Sequence, residues 1–251
     1  MRPAPDKLNV RLARGAADLH AAQRLRYEVF VAELGGDGPM VDHAARLERD
    51  RFDPHFEHLL LVDETRPEGE NALGAYRLMR GARAAAGIGF YSAGEYDLAP
   101  LHASGRELLE LGRSCVAAEL RGTDAMFLLW RGLAAYVAEH GVEILFGVAS
   151  FHGTDTAALA QPLSFLHHRH LAPRALRVRS RAHAPMDLVP PEAIDRRAAV
   201  AALPALIKAY LRVGGHVGDG AFVDRPFNTV DVCLVMDAGR MPAPARAVYG
   251  P

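Results

Sequence analysis

The stretch ERDRFDPHFEHLLLV, residues 48–62, places Glu48, Asp50 and Asp53 within six positions, with Arg49 and Arg51 between them. An apolar run follows directly. Carboxylates exposed on a loop are solvated and contribute little. Facing guanidinium groups from other segments, they would form bidentate pairs, because the rigid fork of Arg matches a carboxylate. Other candidates for chemistry are weaker. HHRH at 167–170 has no Cys or carboxylate at ligand spacing, so no metal is expected. Cys115 and Cys233 lie far apart in apolar surroundings and read as small buried hydrophobes, not a disulfide. RALRVRSR, 174–181, concentrates four arginines. Read as a strand, it lines Arg177, Arg179 and Arg181 along one face, with Arg174 nearby.

The elements that must position these groups follow from periodicity. LNVRLAR alternates like a half-buried strand, and AADLHAAQRLRYEVFVAEL reads as a helix stopped by Gly35–Gly36. HLLLV (58–62) and LGAYRLM (73–79) form a hairpin across a Pro/Gly/Asn-rich turn. LLELGRSCVA (108–117) is the fourth strand, a long amphipathic helix ends at Gly141, and VEILFGVAS is an apolar mid-sheet strand. A helix broken near Pro162, the basic strand, helices on either side of Pro204 and the strand FNTVDVCLVMD complete the order. Strands and helices interleave without a linker or repeat. The expectation is one α/β (α+β) domain over residues 1–240 with a mixed sheet, then a tail over 241–251. The chain has 251 residues, half of them apolar, and a net charge of −1. That balance argues against a whole-surface role in nucleic-acid binding. The amino terminus has no apolar run, and nothing approaches the ~18 apolar residues of a transmembrane helix, so a cytoplasmic protein is expected.

This element order resembles the GCN5-related N-acyltransferase (GNAT) fold. LRYEVFVAEL with Arg26 and Phe30, ERDRFD with Glu48, Asp50 and Asp53, YRL with Arg77, and ELGRS with Glu110 and Arg113 look like the signature of acyl-homoserine-lactone synthases and their relatives. The fuller strings FYSAGEYDL, LELGRSCV, LLWRGLAAYV, LFGVASFHGTD and LPALIKAYLRVGGHVGDGAFVDRPFNTVDVCLVM resemble the ornithine N-acyltransferases of bacterial lipid synthesis. The resemblance spans residues 10 to 238. The autoinducer branch typically carries a Trp after its first helix. Here that loop reads GGDGPMVDH, and the single Trp is Trp130.

The resemblance implies a GNAT-like central sheet flanked by helices, its fourth and fifth strands splayed apart. It implies transfer of a 3-hydroxyacyl chain from acyl carrier protein to the α-amine of L-ornithine, giving a lyso-ornithine lipid. The donor is the acyl-phosphopantetheine of the carrier, and no cofactor is bound permanently. Alternatives are a lactone synthase, an N-acyltransferase for another amino acid, or a non-catalytic module binding carrier protein or membrane. The implied fold aims Arg26, Arg77 and Arg113 at one edge, where they meet Glu48, Asp50 and Asp53. Surface charge, a structural ion-pair network and direct contact with the amino acid all remain open for that set. The bulged fourth strand would aim backbone amides near Ser114, Cys115 and Val116 at the thioester carbonyl. Glu110, then Glu48, are the candidate proton acceptors. Arg121 in RGTDAM sits at the fold's phosphate loop. Asp124 and Met126 replace its small residues, which suits a donor carrying one phosphate. His152 in FHGTD could line the acceptor pocket, though Thr154 and Asp155 also suit a helix-capping turn. Arg174, Arg177, Arg179 and Arg181 would dock the acidic carrier protein, with an anionic inner-membrane surface as the further partner.

Overall fold

The computed structural model describes residues 7–241. The amino-terminal six residues and the tail beyond Met241 lie outside the described residues. The chain groups into two compact units, one built from residues up to 88 and from 111–141, the other from 89–110 and from 142 onward.

In the first unit, β1 (Leu8–Leu12) pairs antiparallel with β2 (Glu57–Asp63), and β2 with β3 (Ala72–Arg80). Helix α1 (Ala16–Arg26) runs into a wide π-type turn, Tyr27–Glu33. Alternation explains why β2 is apolar at every inner position. Leu60 and Val62 join Ala22, Leu25 and Val29 of the α1 segment in one buried cluster. Leu59 and Leu61 face the opposite side, toward α4 (Ala125–Glu139). A strand covered on both faces reads as a continuous hydrophobic run. Two glycines let α4 lie close: a Cβ on Gly132 would stand 2.4 Å from Val10 Cγ1, and one on Gly74 would stand 2.8 Å from Leu129 Cδ1. A short helix, α2 (Gly81–Ala85), follows β3.

The second unit holds β4 (Tyr96–Asp97), α3 (Ala99–Ala103) and the start of β5 (Leu108–Val116). The expected fourth strand is thus fifth in the chain, because the short β4 precedes it. Leu108–Glu110 of β5 pair in parallel with Ile144–Phe146 of β6 (Ile144–His152). Antiparallel to all of β6 runs β10 (Thr229–Asp237), from Thr229↔His152 to Asp237↔Ile144. β8 (His216–Val217) and β9 (Phe222–Asp224) pair with β10. Parallel and antiparallel ladders therefore share a mixed sheet in this unit. Helix α5 (Ala160–His170) starts close enough to Pro162 to hold it in the first turn, where a missing N–H costs nothing. The expected break at Pro162 is therefore absent. Asp195 caps α6 (Arg196–Ala202), and α7 (Ala205–Arg212) begins after Pro204, as expected.

The basic segment departs from expectation. RALRVRSR is not a strand along its length: Arg174–Leu176 form a 3-10 turn after Pro173, and only β7 (Arg179–Ser180) pairs, with β4. Pro173 fixes φ, and its carbonyl accepts from Leu176 N, closing the turn at 2.8 Å.

Gly132→Ala tests the close approach in the first unit. Helix propensity alone would favour Ala by about 1 kcal/mol. The overlap with Val10 should outweigh it and cost about 1–3 kcal/mol net, read as a lower urea midpoint.

Candidate active site

Arg26 ends α1, and its guanidinium is 1% exposed. Its Nε donates to Glu48 Oε2 at 2.5 Å, and Nη2 donates to the Glu48 carbonyl at 2.6 Å. The two Nη atoms fork onto Asp53, at 2.7 and 2.8 Å. Arg77 of β3 reaches both oxygens of Asp50 at 2.7 Å and Asp53 Oδ1 at 3.0 Å. Arg113 of β5 bonds Glu48 Oε1 at 3.2 Å and Asp50 Oδ2 at 3.3 Å. Three guanidiniums from a helix and two strands thus meet three carboxylates from one loop.

The loop itself is folded to receive them. Glu48 N donates to Gln23 O, Phe52 N to Asp50 Oδ1, and Asp53 N to Asp50 O. Arg77 also lies over the Phe56 ring, 4.5 Å from its centroid. Arg49 and Arg51, which alternate with the acids in sequence, take no part. Arg49 turns outward to Asp42, and Arg51 stacks on Phe52.

Burial alone would raise these carboxyls, but the arginines outweigh it. Glu48 is held below its usual range by Arg113, Arg26 and Arg77, Asp50 by Arg77 and Arg113, and Asp53 by Arg26 and Arg77. Burial likewise opposes the charge on Arg26, and Glu48 and Asp53 overcome it. Only the Asp50–Arg113 edge keeps water access, with side chains 19% and 12% exposed. Of the readings open from sequence, surface charge does not describe this buried array; an ion-pair network does.

Two members were missed. Gln23 lies one turn before Arg26 and donates to Asp53 Oδ2 at 2.9 Å. Buried His58 meets the Asp53 carbonyl through Nε2 at 3.0 Å, and burial pushes its pKa down to about 4. The helical spacing of Gln23 and the position of His58 at the start of β2 were the available signals.

The remaining candidates have their own settings. Glu110 is buried, its Oε1 accepting from Ser92 N at 2.6 Å and its Oε2 from Tyr91 N at 2.8 Å. Arg113 has φ 48° in the middle of β5, a left-handed break in the strand. Just after it, the Ser114 hydroxyl is buried without a hydrogen bond among the described residues. Cys115 and Val116 are buried, and burial pushes the Cys115 thiol up to about 12. Phe30 packs against the cluster that includes Cys115. Arg121 forms a two-armed pair with Glu33 across the surface. His152 is exposed at the end of β6; Asp155 accepts from Ala157 N and Ala158 N in a turn ahead of α5, whose own N-cap is Leu159, so the expected helix cap is not formed there.

The basic face is corrected with the strand that was to carry it. Arg177 donates to Ala172 O at 2.8 Å, tying down its own loop, and Arg181 donates to Ala93 O at 2.8 Å, tying it to the Tyr91–Gly94 turn. Arg179 is exposed near Asp219, and Arg174 is exposed on the 3-10 turn. In the second unit, Glu95, Asp224 and Asp231 bring carboxylate oxygens within 4.8 Å of one another, a grouping that no sequence spacing announces.

Comparison with known proteins gives concordant results. A family described as Acetyltransferase (GNAT) domain matches residues 25–131. The chain is 60% identical over 251 residues to the L-ornithine N(alpha)-acyltransferase of Rhodobacter capsulatus, covering 99% of this chain and 97% of that protein. It is 43% identical over 249 residues to the Brucella abortus protein of the same name, covering 97% and 89%. Among solved structures, FeeM, an N-acyl amino acid synthase from uncultured soil microbes, has a TM-score of 0.53 at 13% identity, covering 93% of this chain and 92% of that one. The acyl-homoserine-lactone synthase LasI has a TM-score of 0.51 at 16% identity, covering 96% and 94%. These two likenesses concern the fold.

Two outcomes test the network. Arg26→Leu should cost about 3–5 kcal/mol by stranding buried carboxylates, and Arg26→Lys should not restore the fork; urea unfolding followed by Trp130 fluorescence measures both. Stability should also fall on acidification. Between pH 6.5 and about 4 the unfolded chain protonates its histidine while folded His58 stays neutral. Below that, unfolded carboxyls take protons before the depressed folded ones do, so the loss continues in the same direction. His58→Gln should flatten the first limb by about 3 kcal/mol relative to the native chain.

Proposed function

The chain belongs to the family of the L-ornithine N(alpha)-acyltransferases, and on that premise we propose that it transfers a 3-hydroxyacyl chain from acyl carrier protein to the α-amine of L-ornithine, forming a lyso-ornithine lipid. The observation that carries this reading is 60% identity along 99% of the chain with a protein of that name. A GNAT domain and a mixed sheet flanked by helices make it an acyltransferase in the coarser sense.

The neutral α-amine attacks the thioester carbonyl, a C–N bond forms, the C–S bond breaks, and the phosphopantetheine sulfur leaves and takes a proton. Direct transfer fits Cys115, whose buried thiol stays protonated at neutral pH and is a poor nucleophile. Backbone amides after the break at Arg113, near Ser114, Cys115 and Val116, stabilise the oxyanion. Ornithine's amine is mostly protonated at pH 7 and must lose a proton first. Glu48, held below its usual range between arginines, is a weak base and serves to position the loop. Glu110 is the proton acceptor in this reading.

The half-open Asp50–Arg113 edge is where the amino acid's carboxylate or ammonium groups exchange with the network. Phe30 and Arg77 complete the acceptor side in this reading. Arg121 takes the donor's phosphate on release from Glu33. Exposed Arg174 and Arg179 meet the carrier protein, and Arg177 and Arg181 hold that segment in place. Among the described residues no helix is long and apolar enough to cross a membrane. In this reading the enzyme works in the cytoplasm, at the periphery of the inner membrane.

The test is incubation of the full chain with 3-hydroxyacyl carrier protein and single amino acids, products read by mass spectrometry. N-acylated ornithine alone is expected; an S-adenosylmethionine-dependent lactone would refute the assignment. Glu110→Gln should lower kcat by about 100-fold or more, with the KM for ornithine little changed. A normal kcat removes Glu110 from proton transfer.

A further inference from the structure

The parallel bridge between Leu171 and Val217 sets His170 beside His216. On the His170 side lies a recess of 360 Å³ lined by Phe165, Arg169, His170, Pro191, Ile194 and Arg196. Phe165 stands 5.2 Å from the His170 ring and gives the recess an apolar wall. Both arginines are exposed, and neither has an ion-pair partner among the described residues. Other arginines have close acidic partners, as Arg106 has Asp237 and Arg11 has Asp18. The acids on the same segment do not neutralise the site. Asp195 spends Oδ1 on Arg197 N and Ala198 N, and Glu192 is exposed to solvent. Burial, then His216 and Arg196, lower the pKa of His170, which agrees with a locally positive field.

One guanidinium fork satisfies a carboxylate. Two unpaired forks on one recess call for an anion with more acceptor oxygens, and phosphate meets that need. The apolar lining of Phe165, Pro191 and Ile194 calls for a phosphate attached to apolar matter. We propose that this recess binds the phosphate group of an amphiphile, with the phosphate on Arg169 and Arg196 and the apolar part against Phe165 and Ile194. This site is distinct from the residues assigned to acyl transfer above.

The phosphate could belong to a lipid headgroup or to a soluble phosphate ester, and two probes separate them. Binding of the full chain is measured to vesicles of phosphatidylglycerol in phosphatidylcholine, against phosphatidylcholine alone, and to glycerol 3-phosphate in solution. Arg169→Gln/Arg196→Gln is compared with Arg131→Gln/Arg225→Gln, which removes the same charge at other exposed positions. Anionic-vesicle binding that weakens about tenfold only in the first double variant supports the proposal and assigns a lipid, a tenfold loss being 1.4 kcal/mol. The same selective loss for glycerol 3-phosphate supports it and assigns a soluble ester. Arg169→Lys/Arg196→Lys, which keeps the charges and loses the forks, should fall between. Equal binding by the two double variants overturns the proposal, as does a native chain that binds neither probe. Binding is read without acyl transfer, so failure here and failure of the ornithine assignment remain separate results.

Discussion

Removing a guanidinium from water costs several kcal/mol, and the first unit does so at Arg26 and again at Arg77. That cost is met only if the carboxylates arrive with suitable geometry, and their arrival dictates much of the surrounding structure. The loop from Glu48 to Asp53 has to fold back on itself, α1 has to end where Arg26 can fork onto Asp53, and β3 has to present Arg77 inward. A mismatch at any of these places would leave a buried charge uncompensated, which the chain tolerates far less than a lost apolar contact. The array is therefore a demanding device for fixing the relation of one helix, one loop and two strands. Its solvent-facing edge is the exception, and there the pairs are longer, at 3.2 and 3.3 Å.

The apolar framework was legible in the sequence because its periodicities are local. The β2–β3 hairpin, the long helix α4 and the strand pair β6 and β10 each declare themselves by runs or alternation that no distant residue has to complete. Convergence of Arg26, Arg77 and Arg113 on the ERDRFD loop was not readable from those patterns, since the partners lie 22 to 65 positions apart. It came from resemblance to a family. His58 and Gln23 escaped notice because a polar residue at the edge of an apolar run looks like a boundary until its partner is seen.

The basic segment failed for a physical reason. Alternating arginines satisfy the pattern of a half-buried strand, but Pro173 forces a turn, and the guanidiniums of Arg177 and Arg181 find backbone carbonyls nearer than any external acid. Arg177 closes a local loop on Ala172, while Arg181 is spent on Ala93 in a turn distant in sequence. The two arginines of the proposed phosphate recess lie instead at α5 and α6, separated in sequence by 27 positions and invisible as a motif.

Arg113 carries two obligations at once. Its backbone occupies a region that suits glycine or asparagine, at a cost of about 1–3 kcal/mol for other side chains. Its side chain must be a long cation able to reach both Glu48 and Asp50. No residue meets both demands without strain, so glycine would relax the strand and empty the charge, while lysine would keep the charge and lose the fork. Drift at this codon is closed from two independent directions, and compensation would require simultaneous change in the acidic loop.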